Sequence, residues 1–112
     1  MDLAEIQTIK ADFEESRGWN KFPASLVFAH LVEELGEISR HITFEEGYKA
    51  SNLGHKEPNR DELKREFAQV FSLFIQLANH YEINLEESVL EELEIMKHRF
   101  PEDEWTEYMN GR

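Results

Sequence analysis

The stretch HLVEELGEISRHI, His30 to Ile42, sets apolar residues at three- and four-residue intervals: Leu31 or Val32, Leu35, Ile38 and Ile42. That is the period of an amphipathic α-helix, so the segment reads as helix rather than strand. The same segment carries Glu33, Glu34 and Glu37, like charges that repel where they share one helix face. Either the face is plain solvated surface, or something positive is held against it.

Working outward, the helical period recurs almost throughout and strict alternation is missing, which makes the chain all-α. A first helix over about residues 3–16, with Leu3, Ile6, Ile9 or Lys10 and Phe13 on one face, stops at Arg17-Gly18. The acidic helix begins near Pro23, whose fixed φ suits a first turn, adds Phe28 to its stripe, and runs to about Glu46. Gly47 ends it, and YKASNLGHKEPN reads as a connecting loop. Pro58 and Asn59 open a third helix with the stripe Phe67, Val70 or Phe71, Phe74, Leu77 or Ala78 and Tyr81. Asn84 with Glu87 three residues on predicts the N-terminus of a fourth helix, which continues through Val89, Leu90, Leu93 and Met96 to Phe100 and is stopped by Pro101. The tail, EDEWTEYMNGR, suits a short helix, a docked arm or a frayed end.

At 112 residues, the chain suits one domain, residues 1–112, small enough that packing against a second copy would help it. Its net charge of −12 would repel a phosphate backbone, so direct binding of a nucleic acid polymer is not expected. A divalent cation reverses that logic, because the ion's charge dominates its local field. There is no cysteine, hence no disulfide or thiolate metal site. No apolar run has membrane-spanning length and the N-terminus lacks the pattern of a signal peptide, so a cytoplasmic protein without a membrane partner is expected.

Glu34 and Glu37, three residues apart, project from one side of the second helix about 4.5 Å apart along its axis, with Glu33 rotated by about 100° towards the flank. On the third helix, Glu66 and Gln69 repeat the three-residue spacing. An antiparallel pairing of the two helices would set these oxygens across a groove, a donor set that suits a hard cation such as Mg²⁺ or Mn²⁺. Charged helix faces are more often simply solvated, and the spacing alone does not separate the two readings. His30 and His41 flank the acidic face, yet a hard oxygen site does not require them. No histidine follows a glutamate by three residues, which disfavours a di-iron carboxylate site.

With E33-E34-L-G-E37, a spacer of residues 38–65 and E66-F-A-Q69, the chain resembles the MazG-like, all-α nucleoside triphosphate pyrophosphohydrolases, whose pattern is EExxE, a spacer, then ExxD. RGWNKF, Arg17 to Phe22, is similar to the family segment leading into the acidic helix, and FSLFIQLANHYEINLEESVLEELEIMKHRFP is similar to its continuation, so the likeness spans about residues 13–101. The resemblance implies a four-to-five-helix bundle completed by dimerisation, as a homodimer or dimer of dimers. It implies Mg²⁺, with Mn²⁺ as a substitute, held at Glu34, Glu37, Glu66 and Gln69, with Glu33 supporting a second metal or the attacking water. Lys97 and Arg99 would contact the triphosphate of a nucleoside triphosphate substrate, and Trp19 and Phe22 would lie near its base. The implied reaction is hydrolysis at the α–β linkage to a nucleoside monophosphate and pyrophosphate, in housekeeping of the nucleotide pool.

Two positions depart from the family pattern. Gln69 stands where the family has Asp, and Met96 where relatives commonly have Asn. A neutral amide oxygen can ligate Mg²⁺ but adds no charge. The second expectation is therefore a catalytically weak or silent homologue that binds nucleotide or a protein partner. For Trp19 the alternative to base stacking is a hydrophobic plug, and for Lys97 and Arg99 it is simple complementation of the helix dipole.

Overall fold

A computed structural model describes residues 1–111. Among them there are five α-helices and no strand: α1 (Leu3–Glu15), α2 (Ala24–Glu45), α3 (Leu63–His80), α4 (Leu85–Arg99) and α5 (Glu102–Asn110), with short 3-10 turns at Trp19–Lys21, Ser51–Leu53 and Arg60–Glu62. The all-α expectation is therefore met, and the tail forms α5. No described helix is long and apolar enough to cross a membrane.

Local chemistry explains the helix boundaries. Asp2 caps α1 by accepting from the Glu5 amide at 2.8 Å, and Asn84 caps α4 by accepting from the Glu87 amide at 3.0 Å. Such caps satisfy amides that have no partner inside the helix. Gly18 adopts φ 73°, a left-handed conformation that lets the chain turn sharply between α1 and the Trp19–Lys21 turn. Pro23 lies one residue ahead of the expectation: its ψ of 150° is extended, and it precedes α2 as the cap. The third helix also begins later, at Leu63, because Asn59 accepts from the Asp61 amide and first closes a tight 3-10 turn.

The core is formed where α2 packs along α3 and α1 lies against α3. Val27, Leu31 and Ile38 of α2 meet Ile75 and Ala78 of α3 in its buried apolar part. Gln7 of α1 fastens this half of the chain to the next. Its Nε2 donates to Asn79 Oδ1 at 3.0 Å and to the Ile83 carbonyl at 2.8 Å, while its Oε1 accepts from the Leu85 amide at 2.8 Å. A buried amide with all these bonds filled fixes the α3–α4 corner against α1.

The expected apolar stripes divide into two faces. Leu31 and Ile38 are buried, whereas Phe28, Val32, Leu35 and Ile42 on α2 and Phe67, Phe71, Phe74 and Tyr81 on the α3 side remain exposed. The reason is geometric: α2 is apolar over more than the strip that α3 covers. Neither α4 nor α5 buries any residue. The radius of gyration is 18.6 Å, against about 13 Å for a compact chain of this size.

Candidate functional site

A cavity of about 770 Å³ opens where the Trp19–Lys21 turn, α2 and α3 meet. Trp19 and Phe22 supply its aromatic wall, His30 and Glu34 project from α2, and Arg65, Gln69 and Gln76 from α3, with Lys10 of α1 at one side. Glu34 and Gln69 are thereby set in one cavity, on two helices that run antiparallel: His41 lies by Glu66 further along α2, while Val27 and Gln76 line the cavity at the other end. Trp19 is held edge-on to Phe13, with ring centroids 5.6 Å apart, and Lys10 Nζ lies 5.3 Å from the Phe13 centroid and 6.0 Å from that of Trp19. Those contacts keep a cation beside an aromatic wall.

Four of the residues singled out in the sequence, Trp19, Phe22, Glu34 and Gln69, line this cavity. The others are distributed around it. Glu33 and Glu37 are on the exposed side of α2, and Glu37 Oε2 lies 3.5 Å from Arg40 Nε. Glu66 is 8 % exposed; its Oε1 is 3.7 Å from Nε2 of the buried His41, and its Oε2 has no hydrogen-bond partner. Lys97 and Arg99 are on α4 and are not part of the cavity lining: Lys97 Nζ pairs with Glu94 at 2.9 Å, and the Arg99 guanidinium lies 5.0 Å from the Phe100 centroid. Among the described residues no three acidic or imidazole side chains converge as a ready-made ligand set.

Sequence reasoning missed several neighbours. Lys10 and Arg65 bring positive charge to the cavity, and nothing in their spacing distinguished them from surface residues. His41 was visible only as a histidine four residues after Glu37; that it is buried against Glu66 depends on the α2–α3 register. His30 Nε2 lies 3.5 Å from Glu34 Oε1, so the imidazole is beside the cavity carboxylate. Glu14, unremarkable in the sequence, is buried, and burial pushes its carboxyl above the usual range even though Lys10, with Nζ at 3.9 Å, pulls it down.

No protein-family model matches the chain. It is similar to the Bacillus subtilis (strain 168) uncharacterized protein YvdC, with 30% identity over 109 residues that cover 89% of this chain and 97% of YvdC. Similarity of that degree along nearly the full length of both proteins shows that the chain belongs to the family of YvdC.

Proposed function

We propose that the protein is a cytoplasmic, divalent-cation-dependent nucleoside triphosphate pyrophosphohydrolase of the MazG-like kind, assembled at least as a homodimer. The observation that carries the reading is the single cavity that joins an aromatic wall, Trp19 and Phe22, to the acid and amide pair Glu34 and Gln69, with Lys10 and Arg65 beside them. An aromatic wall suits a nucleoside, the two cations suit phosphate oxygens, and the oxygen donors suit Mg²⁺ or Mn²⁺.

The donor chemistry suits such an ion, although among the described residues Glu34, Glu37 and Glu66 do not converge and would have to be drawn together by it. Glu34, Glu37 and Glu66 offer carboxylate oxygens and Gln69 an amide oxygen, and Glu66 Oε2 is buried with its bonding capacity unfilled. Bringing Glu37 in would break its exposed pairing with Arg40, which costs at most about 1 kcal/mol. Bound Mg²⁺ would supply Lewis-acid polarisation of the phosphate oxygens and a more acidic water. The chain's own groups do the rest: Lys10 and Arg65 would draw the triphosphate into an otherwise acidic molecule, Trp19 and Phe22 would orient the nucleoside, and Glu33 would accept a proton from the attacking water. Pyrophosphate and a nucleoside monophosphate would leave.

Dimerisation is part of the same reading. It is supported by the uncovered apolar faces of α2 and α3 and by an α4–α5 arm without a buried residue. A second copy would cover the faces and could bring its own Lys97 and Arg99 to the cavity.

The test is release of pyrophosphate, as distinct from orthophosphate, from a panel of ordinary and modified nucleoside triphosphates with Mg²⁺ and with Mn²⁺, beside a Glu34→Gln control. Metal-dependent pyrophosphate release that the control lacks is the expected outcome. A second reading, a silent homologue that binds nucleotide or a protein partner, is favoured by the neutral Gln69 in the cavity. Saturable nucleotide binding without release would establish it, and absence of both binding and release in folded protein would overturn the nucleotide reading.

A further inference from the structure

Behind the Trp19–Phe22 wall lies a second cavity of about 260 Å³. Trp19, Phe22, Val27 and Gln76 line both cavities, so the two are neighbouring compartments of one cleft. The larger compartment holds the acidic, amide and basic groups already described. The smaller is too tight for a nucleotide and offers the rings of Trp19 and Phe22, the amide of Gln76 and two carboxyl groups, the exposed one of Glu15 and the buried one of Glu14.

Glu14 is 3 % exposed, and its Oε1 is shut off from water without accepting a hydrogen bond. Lys10 Nζ, at 3.9 Å, is too distant to supply one. An unfilled acceptor in an apolar setting is unfavourable for the fold, and an apolar side chain of similar length would avoid the penalty. Its place beside a cavity walled by two aromatic rings gives it a use as an acceptor for a ligand's N–H.

Resting on the nucleotide reading above, we propose that the smaller compartment receives the nucleobase and that Glu14 selects bases carrying an exocyclic amino group. Cytosine, adenine and guanine each present such an amino group, whereas thymine and uracil present carbonyl oxygens in its place. As a carboxylate, the group accepts from the amino N–H and repels the lone pairs of a carbonyl. Lys10, on the other side of the wall, is left for the sugar–phosphate portion.

Probe pairs that differ at the amino position, dCTP against dUTP and dATP against dITP, test this in the full-length protein through kcat/KM and through Kd measured with non-hydrolysable analogues. Wild type is expected to favour the amino-bearing member of at least one pair by about ten- to a hundredfold. Glu14→Met is expected to collapse that ratio with little change in Tm, since the acceptor makes no hydrogen bond in the free protein and its ion pair with Lys10 is long, at 3.9 Å. Glu14→Gln, a nearly isosteric change that preserves the packing, is expected to shift preference towards the carbonyl-bearing member by offering an N–H to its oxygen. A ratio unchanged in both variants, or a wild-type preference for dUTP and dITP, overturns the assignment of Glu14 and leaves the enzyme reading standing. Failure of wild type to bind or cleave any of the four overturns both.

Discussion

Helices α3 and α4 are both amphipathic by sequence, yet they meet opposite fates. Helix α3 buries Glu66, Ile75, Gln76 and Ala78, whereas α4 buries nothing although it carries Val89, Leu90, Leu93, Ile95 and Met96. The difference lies in what each is offered: α3 has α1 and α2 alongside, while α4 is joined to the packed half near its start, where the Leu85 amide donates to Gln7 and Glu86 Oε1 accepts from the Leu3 amide at 3.2 Å. An apolar stripe is thus a capacity for burial, and in the arm that capacity is unused within the described residues. The candidate functional groups divide along the same line. The acids and the aromatic wall belong to the packed half, and the basic pair Lys97 and Arg99 belongs to the arm.

The largest expected effect lies in the packed half. If the proposed hydrolysis takes place there, Glu34→Gln should lower pyrophosphate release by about a hundredfold or more, because a group that acts on charge developing in the transition state typically contributes several kcal/mol; steady-state kinetics with a folded variant checks it. If the basic pair of a second copy completes the site, Arg99→Ala should lower kcat/KM as well, by about tenfold, the scale of one charge-assisted contact.

Stability separates the two regions next. Ile75→Ala, in the buried core, should cost about 2–4 kcal/mol by creating a cavity, with a Tm loss that does not vary with protein concentration. If a second copy covers the arm, Leu93→Asp should leave the isolated chain almost untouched yet shift the protein to monomer in light scattering, and its Tm loss should grow on dilution. Concentration-independent behaviour of both variants would break the contrast.

Smaller effects sharpen the site. Gln69→Asp adds a charge to the donor set and should tighten Mg²⁺ binding by about tenfold, read by calorimetry, since ligand charge count tunes such sites. Glu14 gives the smallest signal. Burial raises its folded pKa above 4.5, so the native state holds its proton more tightly than the unfolded chain does, and stability falls as pH rises through that window. Glu14→Gln should therefore be the more stable protein near neutrality, with an advantage that shrinks as pH drops towards 4.5. An advantage that is constant across pH would contradict the burial of that carboxyl group.

What was legible in the sequence follows from the range over which each signal acts. Gly18, Asn84 and Pro101 act on their immediate neighbours, so the ends of α1 and α4 could be read directly. Trp19, Phe22, Glu34 and Gln69 could be singled out because short motifs carry them, and all four line the larger cavity. Gln7 could not, since its partners Asn79, Ile83 and Leu85 are more than seventy residues away. His41 against Glu66, and Lys10 with Glu14 around the aromatic wall, likewise depend on how helices pack, which periodicity does not specify. The stripes of α2 and α3 told which residues are apolar but not which of their faces this chain covers.

The most direct test of the central claim is whether nucleotide occupies the cavity beside Trp19. In a Trp105→Phe variant, Trp19 is the sole tryptophan, and its emission can be followed during titration with an α,β-imido deoxynucleoside triphosphate. The account predicts a saturable change in emission that requires Mg²⁺ or Mn²⁺ and is lost in Glu34→Gln. Nucleotide binding detected by calorimetry while Trp19 emission stays constant would contradict it.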